Sequence, residues 1–188
     1  MSGLKHDFER GCMQTSHALG VALYSYAQDH GQKYPRGATS TEVFQQLLNG
    51  GYVTDPTIFY IPLPGKVAPV PGRKLRPENV SWDVTLGAST NDSPSLPLLF
   101  MTGFTVTYAP GGSAVPITKP FPPFGESGAW SWLWSSQSDR LTELGLAVFY
   151  VGNNARFIKP TDPNATEIAN FVPPDFDAQG KTYRQLTP

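Results

Sequence analysis

A chain of 188 residues can bury a substantial core in one domain. Its 18 glycines, 19 prolines and 15% charged residues suit a loop-rich, strand-containing fold better than a helical bundle or a disordered chain. A formal net charge of −1 with no dense basic run argues against nucleic acid as a partner, and a single cysteine excludes an internal disulfide.

The first element predicted is a long amphipathic helix from Leu4 to His30. Cys12, Ser16, Leu19, Leu23, Tyr26 and His30 recur at alternating steps of four and three, which places them on one side of a 3.6-residue turn. Gly20 inside that run costs roughly 1 kcal/mol against alanine, so a close neighbour is expected there. Gly31 followed by Tyr34-Pro35 marks the stop. At 1.5 Å per residue the helix would be about 40 Å long.

Thr39 to Glu42 has capping-box spacing and opens a second, short helix carrying Val43, Phe44, Leu47 and Leu48, which Gly50-Gly51 ends. Prolines at 62, 64, 69, 71 and 77, with Lys66, Arg73, Lys74 and Arg76, predict an extended loop. It is either a solvated surface or a basic contact for an acidic partner.

Val80 to Val84 alternates as a strand. Leu98 to Tyr108 follows, with Gly103 as a break or bulge within it. Pro116 to Gly128 reads as a proline-rich crossing. Trp130, Trp132 and Trp134 alternate, which puts three indoles on one strand face, either half-buried in the core or exposed to stack on sugar rings. Leu144 to Val151 and Ala155 to Ile158, joined through Gly152-Asn153-Asn154, form a hairpin whose first arm is apolar on both faces. That is the mark of a covered central strand. The last stretch, from Pro160, reads as a tail over the sheet with a short helix near Ala165 to Asn170.

Several of these residues carry a resemblance. Cys12, Leu19-Gly20-Val21-Ala22-Leu23 and Tyr26-Ala27-Gln28-Asp29, followed by Gly31, Lys33, Tyr34 and Pro35, resemble the helix end of bacterial type II secretion pseudopilin-like proteins. More narrowly, they are similar to a prepilin-type family reading C-x-x-N-L-x-Q-I-G-x-A-L-x-x-Y-A-x-D before K-[FY]-P. Thr15, Ser16 and Ala18 depart from that pattern, and Ile61-Pro62 stands where many relatives have Cys-Pro. The hairpin resembles the closing strand, Asp-Gly, strand unit of the His-x9-Asp-Gly group. Gly152-Asn153 replaces Asp-Gly, and Thr142 lies at the histidine position, so no role tied to that histidine transfers. The likeness covers residues 12 to 64 and 144 to 158.

The resemblance implies an α+β fold: a long N-terminal helix packed on an antiparallel β-sheet (pilin-like), with a short second helix and long proline-rich loops. Residues 1–188 would be a single pseudopilin-like domain, with 1–30 a truncated helix, 31–159 the body and 160–188 a C-terminal tail. It also implies a structural subunit of a type II secretion pseudopilus or type IV pilus-like fibre. Its partners would be other pilin or pseudopilin subunits and secreted protein cargo, and its place the bacterial inner membrane and periplasm. Since no apolar run reaches the roughly 20 residues that cross a bilayer, the chain is expected to be cut inside its long helix, with a naturally cytosolic protein as the competing explanation. The alternative from another class is a secreted or periplasmic ligand-binding module, with carbohydrate held on the tryptophan face.

Catalytic patterns are missing from the sequence. His6, His17 and His30 are scattered along and around the first helix, without metal-ligand spacing. There is no Gly-x-Ser-x-Gly elbow and no phosphate-binding glycine loop; Gly111-Gly112 signals only a turn. Cys12 on the seam reads as a small buried residue. Asp162, Asn164, Asp175 and Asp177 could supply oxygens to calcium, but they lack EF-hand spacing, and solvated turns produce such clusters. No catalytic, cofactor-binding or metal-ligating residue is therefore named, and the chain is read as a non-enzyme.

Overall fold

The computed structural model describes residues 2–63, 65–117, 145–160, 162 and 165–188, with side chains from His6 onward. Helix α1 (Ser2–Asp29) buries Phe8, Cys12, Ser16, Leu19, Leu23 and Ala27 along one side. The Ser16 hydroxyl, fully enclosed, donates to the Met13 carbonyl at 2.8 Å, which satisfies it within its own turn. Tyr26 is half-buried, and His30 lies just past the helix end, exposed. Gly31 and Gln32 both adopt positive φ (64° and 66°), and Gln32 N–H donates to Ala27 O at 2.8 Å to close the end.

Helix α2 (Ser40–Asn49) begins at Thr39, whose hydroxyl accepts from Glu42 N–H at 3.2 Å, while the Glu42 carboxylate accepts from Ala38 N–H at 2.8 Å. Val43, Phe44 and Leu47 are buried, and the Phe44 ring stacks on Phe59 at 4.9 Å. Two short 3-10 turns follow, Pro56–Phe59 and Pro77–Asn79, each begun by a proline whose missing N–H is no loss in a first turn.

The strands are β1 (Trp82–Leu86), β2 (Pro97–Met101), β3 (Phe104–Val106), β4 (Ala114–Pro116), β5 (Leu146–Tyr150), β6 (Asn154–Ile158) and β7 (Arg184–Leu186). Five of them form an antiparallel sheet in the order β6-β5-β2-β1-β7. Leu99 lies opposite Val84 and Phe149, and Phe100 opposite Asp83 and Val148, so each trio shares a face. The first face meets α1, which packs on β2, β5 and β6. Phe149 fills the space that a side chain at Gly20 would need. The second face is covered by the C-terminal segment: Phe171 meets Phe100 edge-on at 5.4 Å, and Tyr150 Oη donates to Phe171 O at 2.9 Å.

The fold expected from the resemblance needs correction. Among the described residues the strands build two sheets rather than one pilin-like sheet, because β3 and β4 pair separately with each other. Gly103, at φ 105°, turns the chain out of β2, so residues 104–106 leave its ladder for a second layer. Pro116 ends β4, and the rest of the stretch expected as a crossing, from 118 to Gly128, lies outside the described residues. The C-terminal segment is also more ordered than a tail. Ile168 exchanges two backbone bonds with Ala114 (2.9 and 3.0 Å), and Arg184–Leu186 adds an edge strand to β1. No helix forms at 165–170, because the Ile168 backbone is committed to β4 and Asn170 is left-handed at φ 54°. Trp130, Trp132, Trp134, Thr142 and Leu144 lie outside the described residues.

Candidate functional site

The three histidines stand apart. His6 approaches Glu9 at 3.7 Å, His17 meets the Phe149 ring edge-on at 5.9 Å, and His30 stacks flat on Tyr26 at 3.8 Å. Among the described residues no group of three or more His, Cys, Asp or Glu could hold a metal ion. Asp175 accepts from the Ser95 hydroxyl at 3.2 Å, and Asp177 accepts from Gln179 N–H at 2.8 Å. Both carboxylates thus serve local contacts, and Asn164 lies outside the described residues. Cys12 is 3% exposed, and burial, then the Glu9 charge, push its thiol up to about 12, so it stays protonated and unreactive.

The basic residues of the proline-rich loop divide in two. Lys66 Nζ donates to Pro77 O at 3.0 Å, and Arg76 pairs with Glu78 at 3.1 Å. Arg73 and Lys74 instead line an open groove of about 470 Å³ with Gln45, Asn49 and Thr54.

The most unusual polar arrangement lies between the two sheets. Asp83, the second residue of β1, is fully buried. Gln185 on β7 donates through Nε2 to Asp83 Oδ2 (2.6 Å) and to Phe104 O (2.5 Å), and its Oε1 accepts from Val106 N–H (3.0 Å). One amide thus ties β7, β1 and β3 together. Asp83 Oδ1 accepts no hydrogen bond from the described residues. Burial pushes the carboxyl up to about 7, and the Gln185 and Thr102 side chains and the Lys66 charge only partly offset this. Beside it, Thr85 Oγ1 donates to Pro97 O (2.5 Å), so the Tyr108 hydroxyl 2.7 Å away donates to Thr85; burial raises the Tyr108 phenol.

A second clasp holds the C-terminal segment. Asp92 accepts from Ser89 N–H and Oγ, both at 2.9 Å, and pairs with Lys181. Burial opposes the Asp92 charge, but Lys181 and Ser89 outweigh it and hold the carboxyl below its usual range.

The outer side of α1 is the other candidate surface. Met13, Val21 and Tyr24 are large apolar residues left 37–42% exposed there. At its C-terminal end, Tyr26 stacks on His30 and meets Tyr52, whose hydroxyl donates to Asp29 at 2.8 Å.

Sequence reading found the α1 seam but not the Asp83–Gln185 junction. The visible signal was a carboxylate between Trp82 and Val84 in a strand; nothing pointed to a glutamine about a hundred residues later. No helix among the described residues is long and apolar enough to cross a membrane. Comparison with profiles of known protein families, with curated proteins and with solved structures finds no match.

Proposed function

We propose that this protein is a structural subunit of a type II secretion pseudopilus or type IV pilus-like fibre. It would work at the bacterial inner membrane and periplasm and contact neighbouring subunits or secreted cargo. The reading starts from the likeness of residues 12–35 and of the β5–β6 hairpin to pseudopilin-like proteins. The observation that supports it is the division of α1. One side is committed to the sheet through Leu19, Leu23 and Ala27, while the other keeps Met13, Val21 and Tyr24 in solvent. A helix serving only its own domain has little use for an apolar outer side, whereas one that also packs on neighbours does.

The test is genetic. Deleting the gene in the native bacterium should abolish fibre assembly or the release of secreted proteins. Val21→Lys with Tyr24→Lys should fail to restore it while folding normally. Unchanged secretion and fibres in the deletion strain would overturn the reading.

A further inference from the structure

We propose that the Asp83–Gln185 junction is a proton-operated latch. It holds the small sheet and the C-terminal strand on the main sheet while Asp83 keeps its proton, and it lets them open locally once that proton is lost.

The geometry supplies the moving part. The Gln185 amide spends all three of its bonds on Asp83, Phe104 and Val106, so separating β7 from its neighbours exposes the Asp83 carboxyl, and exposing the carboxyl requires that separation. β7 is three residues long and lies at a sheet edge, and β3–β4 is a two-stranded unit of three residues each. Short edge elements open before central strands do.

The environment supplies the trigger. A carboxylate ion wants several donors, but here the Gln185 amide and the Thr102 side chain are the only side-chain donors to it among the described residues, and Oδ1 receives none from them. Among the described residues, Lys66 acts on it only through its charge, and the other charged groups on its side are otherwise engaged. Lys66 is turned to Pro77 O, and Arg156, on the same sheet face, lies over the Tyr150 ring at 5.7 Å. Among the described residues no cation forms an ion pair with Asp83. Thr85, Thr102, Tyr108 and Gln185 are neutral, and Tyr108 is held more strongly protonated than usual.

The sign follows from linkage. The closed form binds the proton more tightly than a solvated carboxyl of ordinary value 3.8, so closure is strongest at low pH. It weakens about tenfold per pH unit as pH rises from roughly 4, and levels off near 7. A rigid buried aspartate with no moving cover is the ordinary alternative. It differs in one respect: its neighbours would exchange only when the whole protein unfolds.

Amide hydrogen exchange on the intact protein separates the two. At pH 7 the Val106 amide and those of β7 should exchange at least tenfold faster than Phe149 in β5. Their opening equilibrium, corrected for intrinsic exchange, should fall about tenfold per unit on going from pH 7 to pH 5. Asp83→Asn should flatten that dependence. Equal protection of Val106 and Phe149, or a pH dependence that survives Asp83→Asn, overturns the proposal. Should the variant not fold, the carbon-13 shift of the Asp83 carboxyl is read beside the wild-type exchange: a midpoint near neutrality that coincides with the pH dependence of Val106 and β7 opening supports the latch, and a midpoint near 4, or one without that coincidence, overturns it.

Discussion

A Cβ placed on Gly20 would lie 2.4 Å from three carbons of the Phe149 ring, well inside contact distance. The ring is 1% exposed and is met edge-on by His17, so it has no free space to swing into. Gly20→Ala gains roughly 1 kcal/mol of helix propensity but overpacks a filled interface at a cost of about 1–3 kcal/mol. The balance should be a net loss in urea melts, and it should vanish in a Phe149→Leu background, where the two changes couple. A stabilised Gly20→Ala in the wild-type background would mean that the layers are not held by this contact. At the same scale Cys12, with its thiol pushed up to about 12, should resist iodoacetamide at pH 8 in the native protein and react fully in urea. Rapid native labelling, read by mass spectrometry, would show the α1 seam to be open. The Gly20 contact was legible because a glycine inside an apolar helical run needs a reason. Which ring filled the gap was not, since that depends on how β5 pairs with β2.

Among the elements, β5 and α1 carry the core between them. Leu23 is fully buried against the sheet, so Leu23→Ala should cost about 2–5 kcal/mol by cavity formation. A loss below about 0.5 kcal/mol in denaturant melts would contradict the packing. β5 is buried on both faces, Phe149 toward α1 and Val148 toward the C-terminal cover. Val148→Asp and Phe149→Asp should therefore each abolish the cooperative thermal transition, because either places an unpaired charge in the core. A normal melt from one of them would show that its face is solvated. The two-sided burial of β5 could be read from its unbroken apolar run. What covers the second face could not, because Ile168, Phe171, Val172 and Phe176 follow no strand or helix period and are fixed by single bridges and ring contacts. β7 was invisible for a related reason: Arg184-Gln185-Leu186 has no alternation to read, and its place is set by the β1 ladder and the Gln185 amide.

For the whole molecule, the sheet stands between two unlike layers: α1 on one face, and the small sheet with the C-terminal segment on the other. A single sheet was expected from the resemblance; the break at Gly103 was legible in the run from Leu98 to Tyr108, but the pairing of the residues after it with β4 in a separate sheet was not. The outer side of α1 is where the proposed assembly meets this architecture. A photo-crosslinking residue placed at Val21, 42% exposed, reports on that side, and one at Leu23, fully buried, reports on the other. In the native cell, Val21 should crosslink to other copies or to partner subunits, giving bands above the monomer, while Leu23 should crosslink only within its own chain. Monomer alone at Val21, under conditions where fibres or secreted proteins are being produced, would contradict assembly through α1.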